Sequence, residues 1–495
     1  MSARRLFLAL ALIGACIAAA ILSGGCSPLK KTLVPNEPPH TVLFVSGTLD
    51  TVNHTVHLHW LGTAAHGYIA GYELRVLNPL APADTAWHFT VRTDSIFTIY
   101  TPTGYAAPVV QVRAIDDQGV RDPHPASQAF QFSNQPPVVK LVGKPNRADL
   151  SDTTYASVTV TWTVEDPDGS TDNVTCRAWL NGRQDHPQLA TGTSFTMPSS
   201  EFRSAGGLFL SGRRTLYLQG VDDGGMPGPI DSVTWYVKAP VTGPRARVLL
   251  IDDVPTTLGP TNVRVDSLYA NALATAGITT SQYSVLRPQF TQPFRSAKDL
   301  EQTFKQFEAV IWYRGENNLY SRILDSYAIG RNGEGIGPYL DAGGKCFIES
   351  LNMVTAWSSH GPLTQAFIQR YLNCTSTFQY AAPPDSSGAW GMATSGILPC
   401  PAIADSIQNQ RNLSGVQGFA ARDPAQILIL APVNVLTQHN PIPMPIAMSV
   451  PQANGGLFIL DTYPMVSGSI PTGGFPQRAS VVLLKILGLM GLNLP

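Results

Sequence analysis

Gly343-Gly344-Lys345-Cys346-Phe347-Ile348-Glu349-Ser350 decides how the C-terminal half of the chain is read. The glycine pair marks the end of a helix, and the short apolar run after it reads as a buried strand that stops at Ser350. Ligands and chemistry gather at the carboxyl ends of strands in an open α/β sheet. Any active site in this region is therefore expected in or beside Ser350.

Outward from that stretch, the grammar from residue 241 to 495 is strand–helix alternation. Arg247-Val248-Leu249-Leu250-Ile251-Asp252-Asp253 is a continuous apolar strand ending in two acids. A helix follows, with Val265, Leu268, Tyr269, Ala272, Leu273 and Ala276 on one face and Gly277 as its stop. Residues 282–286 and 309–313 read as strands, 297–307 and 338–342 as helices, and 427–430, 446–450 and 456–461 as late strands. Such alternation predicts an α/β flavodoxin-like domain with a mostly parallel sheet covered on both sides. The closing apolar stretch 479–489 is too short to span a bilayer and carries Lys485, so it is expected as a core helix. Asp252, Asp253, Glu316, Glu349 and Asp461 should gather at the carboxyl edge of the sheet, the expected ligand cleft, where they can hold a ligand or tie down loops.

The order of these elements resembles the class I glutamine amidotransferase-like fold. The resemblance implies a nucleophilic cysteine on an elbow after the Gly-rich turn, and a histidine before a proline after a late strand. Ser350 stands at the first position, flanked by Glu349 and Leu351 in place of glycines. Tyr463, in Asp461-Thr462-Tyr463-Pro464-Met465, stands at the second. A serine without an adjacent base is inert at neutral pH, and a tyrosine is protonated there. Loss of both groups should remove most of a triad's rate enhancement. His360 could fold back onto Ser350, with Glu316 or Glu349 orienting it, which keeps a Ser–His–Glu hydrolase as the alternative. Cys374 and Cys400 flank a loop-rich stretch and are a candidate disulfide in an oxidising compartment.

Residues 39–135 and 136–240 follow a different rule: short runs with one apolar face, separated by Gly/Pro/Asp turns, as half-buried antiparallel strands require. Val56-His57-Leu58-His59-Trp60 returns as Val158-Thr159-Val160-Thr161-Trp162, and Ala114-Ile115-Asp116-Asp117 returns as Gly220-Val221-Asp222-Asp223. This predicts a tandem repeat of antiparallel β-sandwiches. The first resembles a fibronectin type III domain through Trp60, Tyr72 and the Val-x-Val-x-Ala strand. The second is similar to immunoglobulin-like modules of bacterial surface proteins. Asp166-Pro167-Asp168-Gly169-Ser170-Thr171-Asp172 reads as an Asp/Gly turn rather than a calcium loop, because Pro167 interrupts it and no bidentate Glu follows.

Residues 1–26 combine a basic start, an apolar run and Ser23-Gly24-Gly25-Cys26, the layout of a signal peptide. The last four residues resemble a bacterial lipoprotein box, which implies lipidation at Cys26 and an outer-membrane or cell-surface location, with residues 27–38 as a tether. A net charge of −1 without a basic run excludes nucleic acid as an expected partner. The ten histidines are scattered, so no metal and no cofactor is expected. The expected function is non-catalytic: an envelope binding or scaffold protein with an unknown protein or glycan partner. The alternatives are a hydrolase of envelope or extracellular polymers using Ser350, and a carbohydrate-binding or adhesive surface protein.

Overall fold

The computed structural model describes residues 36–45, 54–82, 85–145, 153–241, 246–254, 260–288, 294–315, 334–350, 367, 369–379, 391–392, 396–409, 413–414, 417–421, 426–431, 444–465 and 478–492. Cys26, Glu316 and His360 lie outside the described residues. The chain divides into two compact units, one formed by residues 1–101 and 105–133, the other by 102–104 and 134–495.

The first unit contains β1 (His40–Val45), β2 (Thr55–Thr63), β3 (Ile69–Leu77), β4 (His88–Thr90), β5 (Asp94–Thr98), β6 (Tyr105–Ala106), β7 (Val109–Asp116), β8 (Ala126–Ala129) and β9 (Phe132–Ser133). Three strands in the order β1-β2-β5 and four in the order β4-β3-β7-β8 form the sandwich sheets. Period-two alternation sends Val56, Leu58, Trp60, Tyr72, Val110, Val112 and Ala114 into a common core.

The second unit opens with the same design. It has β10 (Val138–Gly143), β11 (Val158–Glu165), β12 (Thr175–Leu180), β13 (Gln188–Ala190), β14 (Ser194–Met197), β15 (Gly212–Val221) and β16 (Pro227–Val237). The orders β10-β11-β14 and β13-β12-β15-β16 repeat those of the first unit, so strand order does not separate a fibronectin-like module from an immunoglobulin-like one. Trp162 and Cys176 are buried in its core, and Cys176 is a free thiol.

Next come β17 (Ala246–Asp252), α1 (Pro260–Thr275), β18 (Tyr283–Leu286), α2 (Ala297–Phe304), β19 (Phe307–Tyr313), α3 (Gly337–Asp341) and β20 (Lys345–Glu349). The short strands β21 (Cys374–Gln379), β22 (Gly391–Met392), β23 (Gly396–Cys400), β24 (Asp405–Asn409), β25 (Leu413–Ser414) and β26 (Gln417–Ala421) form nested antiparallel pairs, β21-β26, β22-β25 and β23-β24. The chain then returns through β27 (Ile427–Ala431), β28 (Met444–Pro451) and β29 (Leu457–Asp461) to α4 (Ala479–Leu489). Seven strands form one mixed sheet, ordered β18-β17-β19-β20-β29-β28-β27. The first five are parallel, β28 runs antiparallel to β29, and β27, antiparallel to β28, points the same way as the first five.

Helices cover both faces, as the apolar strands require. Leu268, Tyr269 and Leu273 of α1 and Val482, Leu483 and Ile486 of α4 pack with Leu250, Ile311 and Phe347 on one face. Leu300 and Phe304 of α2 and Tyr339 and Leu340 of α3 pack with Ile251, Trp312 and Ile348 on the other. Gly344 is required where α3 turns into β20, because a Cβ there would sit 2.4 Å from the Tyr339 ring. Among the described residues no helix is long and apolar enough to cross a membrane.

Inside the second unit the sandwich and the seven-stranded sheet share side-chain contacts. Tyr155, just before β11, belongs to the core of the α/β sheet and meets Phe307 edge-on at 5.4 Å between ring centres. Around it, Thr159 Oγ1 lies 2.6 Å from Ser296 Oγ, Ser199 Oγ donates to Gln302 at 3.2 Å, and Gln306 Nε2 donates to Ala156 O at 3.3 Å. A large buried aromatic thus reaches from the second sandwich into the core of the sheet.

Candidate functional site

Parallel pairing fixes the carboxyl edge of the sheet. Asp252 is in register with Tyr313, Tyr313 with Glu349, and Glu349 with Asp461, so these four side chains emerge as a row on the α1 side. Their immediate successors, Asp253, Arg314, Ser350 and Thr462, fall on the alternate positions.

On the α1 side the row is closed by two tyrosines. Tyr269 of α1 stacks on Tyr313 with ring centres 4.3 Å apart, and its hydroxyl donates to Glu349 Oε2 at 2.5 Å. The Met465 amide donates to the same oxygen at 3.2 Å. Tyr313 donates to Asp266 Oδ1 at 2.5 Å. Arg287 joins the far end, bonding Asp252 Oδ2 at 3.0 Å and Asp266 Oδ2 at 2.9 Å.

Burial pushes Glu349 up to about 7, partly offset by the bonds from Tyr269 and Met465. Burial and the neighbouring Glu349 charge push Asp461 well above the usual carboxylate range. Burial and the Asp266 charge push Asp252 up to about 6 against the pull of Arg287. The Gly315 backbone also bonds Glu349, whereas Asp461 Oδ2 is buried with no hydrogen-bond partner among the described residues. An ion so placed is expensive, so both groups keep their protons to higher pH than exposed carboxyls do. Asp461 Oδ1 is occupied in a local turn, accepting from the Tyr463 amide at 2.8 Å.

Ser350 is fully buried. Its amide donates to Asp461 O at 2.8 Å, and its Oγ accepts from Arg314 Nη1 at 3.3 Å, its one side-chain partner among the described residues. Arg314 itself pairs with Asp253 Oδ2 at 3.2 Å, which also accepts from Trp312 Nε1 at 3.3 Å. A guanidinium donates and cannot take a proton, so it cannot act as the base a serine nucleophile needs. Tyr463 is buried in the core on the α1 side with Met465.

Asp252, Asp253, Glu349, Ser350, Asp461 and Tyr463 therefore do gather at one edge, but Ser350 and Glu349 belong to opposite faces of it. Arg314, Tyr269, Tyr313, Asp266 and Arg287 complete the arrangement and were not singled out from the sequence. From the sequence Tyr269 reads only as a core position of its helix. Cys400 is a free, buried thiol donating to Leu398 O at 3.7 Å, so the disulfide expected with Cys374 is not seen at Cys400. The Cys374 side chain lies outside the described residues.

No protein-family model matches the chain, and no curated protein matches it. Among solved structures, fibronectin(III)-like modules of Clostridium thermocellum CbhA align over 40% of this chain and 95% of theirs, at 12% identity and a TM-score of 0.18. The FN1-FN3 domains of chicken CNTN1 align over 41% of this chain and 67% of theirs, at 14% identity and 0.17. A two-domain fibronectin type III segment of chicken tenascin aligns over 40% and 99%, at 15% identity and 0.16.

Proposed function

We propose that the protein is a non-catalytic binding or scaffold component of the cell envelope. Its α/β domain would be a degenerate amidotransferase-like domain, and lipidation at Cys26 would anchor the chain at the outer membrane or cell surface. One observation carries this reading: the serine at the nucleophile position is sealed under Arg314, with its hydroxyl engaged by a cation. The carboxyls beside it, Glu349 and Asp461, are buried and shifted toward the neutral acid, which also argues against a hydrolase built on Ser350. Binding falls to exposed surface, and the first sandwich presents Tyr68, Phe89 and Tyr105, each more than half exposed, where a protein or glycan could dock.

The test is labelling of the intact protein with a serine-directed fluorophosphonate, alongside a broad esterase and amidase screen. No labelling and no turnover are expected. Labelling or turnover that disappears in Ser350→Ala would overturn the proposal. Anchoring is checked separately by palmitate incorporation, expected in the wild type and absent in Cys26→Ala.

A further inference from the structure

The outer face of the first sandwich carries a group of side chains that the scattered histidines of the sequence conceal. On β2, Val56, Leu58 and Trp60 point into the core, so strand alternation sends His57 and His59 to the opposite, outer face. The neighbouring strand β5 runs antiparallel and sets Asp94 directly opposite His59. The two imidazole rings stand 4.4 Å apart, and His57 Nε2 is 3.0 Å from Asp94 Oδ2. One donor atom from each of the three residues lies within 4.8 Å of the other two.

We propose that His57, His59 and Asp94 form a binding site for a divalent transition-metal ion of the zinc or copper type. Two imidazole nitrogens and a carboxylate oxygen suit such ions, and carboxylate-only sites suit magnesium or calcium better. Zinc bound at about 2.0–2.2 Å from each atom would set its ligands roughly 3.3 Å apart in a tetrahedron. The pair at 3.0 Å already meets that spacing, and the remaining closure is within reach of small side-chain rotations. The frame is stiff where it must be: β2 is the central strand of its sheet, and a slip of one residue would bury both histidines and expose Leu58 and Trp60. Phe44 stands opposite His59 on β1 and Ile96 opposite His57 on β5, so apolar neighbours flank the pair. Three protein ligands leave a position open to solvent or to an outside donor.

The test uses the full chain, purified without a histidine tag. Titration with zinc chloride should show one saturable equivalent. His59→Gln and Asp94→Asn should each weaken it at least about tenfold, a loss that residues orienting a ligand can already cause. His66→Gln, a change at an exposed histidine of the same module, should leave it unchanged. Copper(II) electron paramagnetic resonance should show two coupled imidazole nitrogens in the wild type and one in His59→Gln. If circular dichroism shows a variant unfolded, the two-nitrogen signal of the wild type decides. Absent binding, or equal binding in His59→Gln and Asp94→Asn, overturns the proposal.

Discussion

The first sandwich and the α/β sheet treat their acidic residues in opposite ways. In the sandwich, Glu73 bonds Arg121 and Arg113, which hold its carboxyl below the usual range. Asp116 is low as well, because bonds from Asn36 and the Val120 and Gln118 amides outweigh its burial. At the sheet edge, Glu349, Asp461 and Asp252 are all pushed up by burial. At the junction with the second sandwich, burial likewise pushes Asp299 up to about 6. The lesson is that clustered acids at a sheet edge do not by themselves signal chemistry. Among the described residues no cation pairs with Glu349 or Asp461, and burial outweighs the tyrosine and amide donors that favour the ion, so the balance moves toward the neutral acid.

The largest effect should come from the residue that joins the halves of the second unit. Tyr155→Ala is expected to destabilise that unit by about 3–5 kcal/mol, the cost of emptying a buried aromatic site. The transition of the first unit should stay in place, as urea unfolding followed by separate probes would show. A loss confined to the second sandwich, with the transition of the seven-stranded sheet unmoved, would mean that the two halves unfold separately.

Opposite carboxyl environments demand opposite pH dependences. Native Glu349 keeps a proton that the unfolded chain releases near 4.5, so its contribution is complete below that pH and disappears as pH rises through about 7. Asp252 and Asp299 add losses between their usual 3.8 and about 6. The second unit should therefore be more stable at pH 5 than at pH 8. Glu349→Gln keeps an acceptor for Tyr269 and removes the ion, so it should recover on the order of 3 kcal/mol at pH 8 and nothing at pH 4. Calorimetry of both proteins across that range checks the sign.

The smallest effect lies in the first unit. Glu73 is depressed, so its contribution is present above its unfolded value of 4.5 and is lost as pH falls through its lower folded value. Glu73→Gln should cost about 1 kcal/mol at pH 7, the upper end for partly exposed ion pairs, and the difference should close in acid. A difference that persists at pH 2 would mean that shape, not charge, sets the effect.

Much of the sheet was legible because buried parallel strands are written as unbroken apolar runs, and Val248–Ile251, Val310–Trp312 and Cys346–Ile348 are such runs. The sequence pattern extends helix α2 to Phe307, yet Phe307 opens β19. Apolar residues at that boundary fit both periods, and Lys305 and Gln306 mark the turn only in retrospect. The gathering of Asp252, Glu349 and Asp461 followed from strand ends alone. Their closure did not, because Tyr269 reaches Glu349 from a helix 80 residues earlier. The burial of Tyr155 in a neighbouring core depends on docking, which strand alternation does not encode. His57 and His59 were visible as an alternating pair, but Asp94 comes beside them only through the register of β5.

The most direct test of the account is the infrared carbonyl signal of protonated carboxyl groups, taken as wild type minus Glu349→Gln and wild type minus Asp461→Asn. At pH 6 both difference spectra should carry a protonated carboxyl band, and the Asp461 band should persist above pH 7. Two carboxylates already ionised at pH 5 would contradict the account and return the sheet edge to the list of open, reactive sites.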